Sequence, residues 1–167
     1  ADYAIDIVGS DRDAAIAGLL RFAETDTLCY RADPEDALFA RQQDVWEPCL
    51  QAAETRHGIR FERISGIMHR PQPATTLDAL RAHLATLDDF TLAAVNTLAS
   101  LAASLTIALA ALDDGADAQA LWTLANLEED WQAELWGADY EAKELRERRS
   151  AEFAQALRFA ALARSAG

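Results

Sequence analysis

The sequence predicts a mainly α fold: a compact, bundle-like helical domain with one short β-prone or extended segment. Three observations carry that expectation. Apolar residues make up 51% and charged residues 26% of the 167 positions, the balance of a globular rather than a disordered chain. Only 7 Gly and 4 Pro punctuate a chain rich in Ala and Leu, which disfavours a strand-rich fold with many turns. Between the breakers, apolar residues recur at spacings of three and four, flanked by capping residues. A chain of this length buries roughly 70% of its unfolded surface, so its core needs no disulfide or metal to hold it.

The elements follow in order. Residues 10–24 read as a helix, capped by Ser10 or Asp11, with Ile16, Leu19, Leu20 and Ala23 on its apolar side. Thr25 to Tyr30 is short and β-prone. Asp33 caps the next helix with Pro34 at its first position; it runs to His57, where Gly58 stops it. Pro48 removes one backbone donor and predicts a kink near Trp46. Residues 59–69, with Ile59, Phe61, Ile64 and Ile67, form a strand or extended segment, and Pro71-Gln72-Pro73 makes a turn. Thr75 or Thr76 caps a helix carrying Leu77, Leu80, Leu84 and Leu87.

Phe90 to Leu112 contains no charge over 23 residues, long enough to cross a bilayer. Its content of Ala, Ser, Thr and Asn lowers its hydrophobicity, and acids flank it on both sides with no positive residue to orient it. It also has two faces, one with Leu98, Leu101, Leu105 and Leu112, another with Asn96, Ser100 and Ser104. The expectation is a central buried helix. Gly115 then breaks the chain, Asp117 caps a helix from about Ala118 to Trp136, Gly137 ends it, and a last helix spans about Asp139 to Arg164.

Charge and motif content exclude several functions. The net charge of -13 leaves no cationic surface for phosphate, so neither nucleic acid nor an acidic membrane is an expected partner. No phosphate-binding glycine loop and no G-x-S-x-G elbow occurs. Cys29 and Cys49, only two in a chain able to build its own core, indicate a reducing compartment. His57, His69 and His83 lie in different elements without ligand spacing. Glu54-x-x-His57 matches half of a di-iron motif, and surface coincidence is the simpler explanation because the other ligands are missing. No catalytic residue, cofactor or metal ligand is assigned. The sequence opens on Ala1-Asp2-Tyr3 without Met, and we expect an upstream segment. No secretion signal is visible.

The richest stretch for function is Leu121 to Trp136. On one continuous helix, Leu127, Ala120, Trp131, Leu124, Leu135 and Leu121 form a single apolar stripe, and Glu128 falls inside it. A carboxylate there is paired internally, with Arg146 or Arg148, or protonated, or faces a partner. Trp122, Glu129 and Trp136 make a second stripe at seven-residue spacing, either a second buried side or a contact surface.

Leu127-Glu128-Glu129-Asp130-Trp131-Gln132, Trp136-Gly137, Asp139-Tyr140-Glu141 and Glu144-Leu145-Arg146 together resemble the C-terminal signature of the ATP synthase assembly chaperones of the ATP-twelve family. Ala4-Ile5-Asp6, Leu28-Cys29-Tyr30-Arg31-Ala32, Gln42, Trp46-Glu47-Pro48, and Gly66-Ile67 before Gln72-Pro73 extend the resemblance over the whole chain in order. Cys49 departs from it, standing where Leu is commoner. The family also has an N-terminal β-rich domain that is missing here, so residues 1–167 are expected to be one helical client-binding domain from the C-terminal part of a longer protein.

The resemblance implies a chaperone and not an enzyme. It would bind the unassembled alpha subunit of the F-type ATP synthase catalytic sector, prevent its aggregation, and yield it to the beta subunit. An acidic residue of the signature matters in the family, and Glu128 matches it. Glu129, Trp131, Gln132 and Trp136 are expected beside it in a client-facing patch, with Asp139 and Glu141 as outer members. The alternative from the residues alone is a carboxylate-rich helical metal-binding enzyme built around Glu54, His57 and the acids between 128 and 141. Lys143 is the single Lys beside fourteen Arg, a bias of GC-rich bacterial genomes. A soluble, monomeric proteobacterial protein of the cytoplasm is expected, or one of the mitochondrial matrix if the source is eukaryotic.

Overall fold

A computed structural model describes residues 11–66 and 69–166. The apolar run at Tyr3 to Val8, the Ala4-Ile5-Asp6 match, Ser10 and Ile67 lie outside them. The fold is mainly α, as the sequence predicts. Its helices are α1 (Arg12–Glu24), α2 (Ala37–His57), α3 (Ala74–Ala85), α4 (Asp89–Ala102), α5 (Leu105–Ala110), α6 (Ala118–Ala125), α7 (Leu127–Trp136) and α8 (Tyr140–Ala166). A 3-10 turn at Thr27–Cys29 leads into β1 (Tyr30–Arg31), which pairs in parallel with β2 (Ile64–Ser65), Tyr30 opposite Ile64. The extended segment is therefore two residues per strand, while Ile59 and Phe61 go to the core as irregular chain.

The core is one cluster built around α4, whose Leu92, Val95, Leu98 and Ala99 are buried. The long α8 lies along α4 and contributes Phe153, Ala156 and Ala160. Ala on both helices lets their backbones approach closely. α1 packs against α3, α4 and α5, supplying Ile16, Leu19, Leu20 and Ala23 as expected. α2 packs against α5 and α7, and α6 against α8.

Two caps and one interruption differ from the sequence expectation. Asp36, not Asp33, caps α2, its side chain accepting from Leu38 N–H; Asp33 instead caps a separate turn through Glu35 N–H at 3.1 Å. Pro48 sits inside α2, which continues without interruption to His57 and ends at Gly58 (φ 63). Neither Thr75 nor Thr76 caps α3; Pro73 precedes its first residue, and Thr76 is inside, donating its hydroxyl to Arg60 O at 2.5 Å.

The uncharged run is buried but is two helices. Ala103 takes a left-handed conformation (φ 53) and Ser104 caps α5 through Ile107 N–H. Ser104 is thus buried, not on an exposed polar face with Asn96 and Ser100. The cause is Asp26, fully buried, which accepts from the Ser104 hydroxyl (2.6 Å), Thr106 N–H (3.0 Å) and the Thr106 hydroxyl (2.8 Å). A buried carboxylate requires donors, and a helix start offers free N–H groups.

The helix predicted over 118–136 also breaks, at Asn126. Its side-chain amide donates to Trp122 O at 2.8 Å, and the Leu124 carbonyl accepts the Trp46 indole N–H at 2.8 Å. Neither stripe read on a continuous helix is buried or exposed as a unit. Leu127 and Trp122 are core, Leu121, Leu124 and Trp131 are half-buried, and Ala120, Leu135, Glu128, Glu129 and Trp136 are exposed.

Candidate functional site

α7 and α8 form a helical hairpin closed by Gly137, whose φ of 87° reverses the chain at the end of α7. Arg146 on α8 grips Asp130 on α7 with both terminal nitrogens, at 2.9 and 3.0 Å. Burial raises the Asp130 carboxyl above its usual range, opposed by that guanidinium. Arg146, one of the internal partners considered for Glu128, thus pairs with Asp130.

Between the two helices lies an open groove of about 400 Å³, lined by Glu129, Gln132, Trp136 and Asp139 among others. Trp131 and Glu141 are outside this lining; Trp131 is half-buried and Glu141 is exposed on the first turn of α8. Large apolar side chains crowd the surface here. Leu135 is 60% exposed, Trp136 83% and Tyr140 73%, and Leu145 is exposed one turn further along α8. On α7, Leu135, Glu128, Gln132 and Trp136 fall within about 100° of arc. They form one outward strip.

Glu128 has a different backing. Gln42, fully buried on α2, donates to Glu128 Oε1 at 3.1 Å while its own carbonyl accepts from Ala32 N–H at 2.8 Å. Four residues on, Trp46 reaches the Leu124 carbonyl, so one face of α2 holds both the start of α7 and the break before it. Behind these lies a network anchored on the buried Arg31. Arg31 donates to Leu28 O, Gln43 and Glu47, and stands 5.9 Å from the Trp46 ring centre. Arg63 bonds both Glu47 and Glu54. The Arg63 hydrogen bond holds the Glu47 carboxyl below the ordinary range. Sequence reading assigned Gln42 and Trp46 no role of their own. Their spacing of four on α2 was the available signal; the acceptor was not readable.

A second cavity of about 340 Å³ opens beside Glu128, walled by Thr25, Thr27, Tyr30 and His69. The Tyr30 hydroxyl and His69 Nδ1 are 2.8 Å apart, and the two rings are nearly parallel. The expected patch is therefore divided: Glu129, Gln132, Trp136 and Asp139 border the hairpin groove, and Glu128 borders the Tyr30 cavity.

The half-motif Glu54-x-x-His57 does not converge. Burial pushes Glu54 up, but Arg63 and the Phe61 N–H outweigh it and leave the carboxyl below its ordinary range. His57 faces His83 across the α2–α3 contact, ring centres 4.7 Å apart. Among the described residues no three His, Cys, Asp or Glu side chains are placed to hold a metal ion. Burial raises the Cys29 thiol strongly and that of Cys49 to about 11, so neither is a thiolate at neutral pH. No helix among the described residues is long and apolar enough to cross a membrane.

Residues 1–54 match the family model described as ATP12 chaperone protein. The crystal structure of Atp12 from Paracoccus denitrificans superposes with a TM-score of 0.90 at 36% identity, over 96% of this chain and 69% of that one. The chain belongs to the ATP12 family. A candidate chaperone from Agrobacterium tumefaciens superposes at TM-score 0.88 and 41% identity, over 94% of this chain and 59% of that one. The mitochondrial protein atp12 of Schizosaccharomyces pombe is 26% identical over 133 residues, 76% of this chain. The chain spans a little under half of that curated relative, 46% of its length. Membership in the ATP12 family accords with the residues that carried the resemblance, several of which meet in space: Gln42 bonds Glu128, Trp46 bonds the Leu124 carbonyl, and Arg31 bonds Glu47.

Proposed function

We propose that this chain is the client-binding part of an ATP synthase assembly chaperone that holds the unassembled alpha subunit and releases it to the beta subunit. The observation that carries the reading is the outward strip on the α7–α8 hairpin. Leu135, Trp136 and Tyr140 expose apolar surface beside the acidic Glu128 and Glu129 in a member of the ATP12 family. A monomer rarely leaves three such side chains together in water unless something covers them. Aromatic anchors rimmed by charge are the usual make-up of a protein interface centre. The free subunit of an obligate ring exposes apolar interface, and a strip of this kind matches it. The client patch comprises Glu128, Glu129, Trp131, Gln132 and Trp136, with Asp139 and Glu141 at its edge. Action by covering a surface needs no catalysis, and the net charge of -13 keeps the loaded complex dispersed. Acting as a monomer in a bacterial cytoplasm, or in the mitochondrial matrix of a eukaryote, belongs to the same reading.

The test offers the alpha and beta subunits separately to the purified chain. Co-purification with alpha, and suppression of its aggregation measured by light scattering, are expected; capture of beta alone overturns the assignment of client. Leu135→Ser with Trp136→Ser removes the apolar strip at positions that bear no core packing. Unchanged protection by that double variant overturns the placement of the patch.

A further inference from the structure

Resting on that reading, we propose that the client presents a basic side chain, arginine or lysine, which enters the cavity between Glu128 and Tyr30. Glu128 is held in place but not neutralised. One carboxylate oxygen accepts from Gln42, which is itself locked by Ala32 N–H and fully buried, so the carboxylate cannot swing away freely. Among the described residues the other oxygen has no hydrogen-bond partner and no ion pair includes Glu128. Two positions along α7, Asp130 is answered from within by Arg146. Glu128 is instead held by a neutral donor, which directs the carboxylate without cancelling its charge.

The opposite wall is aromatic. Tyr30 and His69 are bonded to each other at 2.8 Å, and both rings border the cavity. An anion on one side and an aromatic pair on the other suit a cation, the carboxylate supplying charge-assisted hydrogen bonds and the aromatic wall a weaker attraction. The cavity, about 340 Å³, has room for one long side chain and its water. Leu135 lies two turns along α7 from Glu128, so an apolar contact and a charged anchor would be engaged by one client segment. Tyr30 and Gln42 become, on this view, a contact residue and a positioning residue for client recognition.

The test titrates the isotope-labelled full chain with acetyl-Gly-Arg-Gly-amide, its Lys counterpart, and a norleucine control, following signals by NMR. Saturable shifts at Tyr30, His69 and Glu128 are expected from the basic peptides and not from norleucine. Glu128→Gln keeps an acceptor for Gln42, so the fold persists, yet the affinity for the basic peptides falls at least about tenfold. Tyr30→Leu weakens it about threefold to fivefold. Equal shifts from norleucine, or undiminished binding by Glu128→Gln, overturn the proposal. The alpha subunit separates the two readings. If it binds parent and Glu128→Gln alike, the cation anchor is wrong and the client assignment survives. If the basic peptides bind as expected but the alpha subunit does not bind the parent, the cation site stands and the client assignment fails.

Discussion

Asp26 and Thr106, eighty positions apart in the chain, meet through two hydrogen bonds onto one carboxylate oxygen, from the threonine N–H at 3.0 Å and its hydroxyl at 2.8 Å. The other oxygen takes Leu28 N–H at 3.1 Å and the Ser104 hydroxyl at 2.6 Å. Among the described residues, four donors and no cation surround this fully buried acid. Burial raises its carboxyl above the ordinary range, and the four donors pull the other way. Asp26→Asn turns an NH2 group toward one of the two backbone N–H donors, whichever way the amide is set. It should lower unfolding stability by about 2 kcal/mol, and Asp26→Ala by more, measured by urea denaturation. A variant as stable as the parent would show that the α4–α5 break holds without this acid.

Ala103 is the one non-glycine with positive φ among the described residues, at 53°. A left-handed alanine costs about 1 kcal/mol against glycine. Ala103 is exposed, and its carbonyl, which accepts from Thr27, is retained in any residue. Ala103→Gly should therefore raise stability by about 0.5–1 kcal/mol after allowing for the freer unfolded chain. A rise in Tm of a few degrees in calorimetry checks it.

His57 and His83 pack ring against ring at the ends of α2 and α3. Burial lowers both imidazoles below 6.5; nearby Arg56 lowers both further, Arg164 acts on His83, and Asp113 partly offsets the effect at His57. The unfolded chain thus binds more protons than the folded one just below pH 6.5. Stability accordingly rises with pH through that window and is lost on acidification. Unfolding free energy measured from pH 5 to pH 7.5 should climb, and His57→Gln with His83→Gln should flatten the climb. An equal slope in both proteins would place the titration elsewhere.

Trp122 and Trp136 were one stripe on a continuous helix and are opposites in the fold, 2% and 83% exposed. Trp122 packs on Phe153, ring centres 5.4 Å apart. Trp122→Ala should cost about 3–5 kcal/mol, whereas Trp136→Ala should stay within about 0.5 kcal/mol of the parent while weakening client capture. Denaturation and pull-down on the two variants distinguish them directly.

Much of the fold was legible. The buried face of α1, the stop at Gly58, the burial of the uncharged run and the turn at Gly137 follow from spacing, capping and left-handed glycine, all local properties. What failed were two continuous helices. Ser104 and Asn126 supply local caps there, and Asp26 and Trp46, far away in sequence, bond the chain at the same two places. The site was legible in its residue types only. Periodicity put Glu128 inside an apolar stripe that the break at Asn126 removes, and no local pattern could show that Gln42 reaches it or that Arg146 chooses Asp130.

The sequence alone determined a helical, strongly acidic chain, where most of its helices lie, and the ordered residues that mark its family, because those depend on neighbours within a few positions. The tertiary structure decided where two helices break, which tryptophan is core and which is surface, and that Glu128 is backed by an amide rather than an arginine. Those outcomes depend on which donors and acceptors a buried group meets, and packing, not proximity along the chain, sets the meeting.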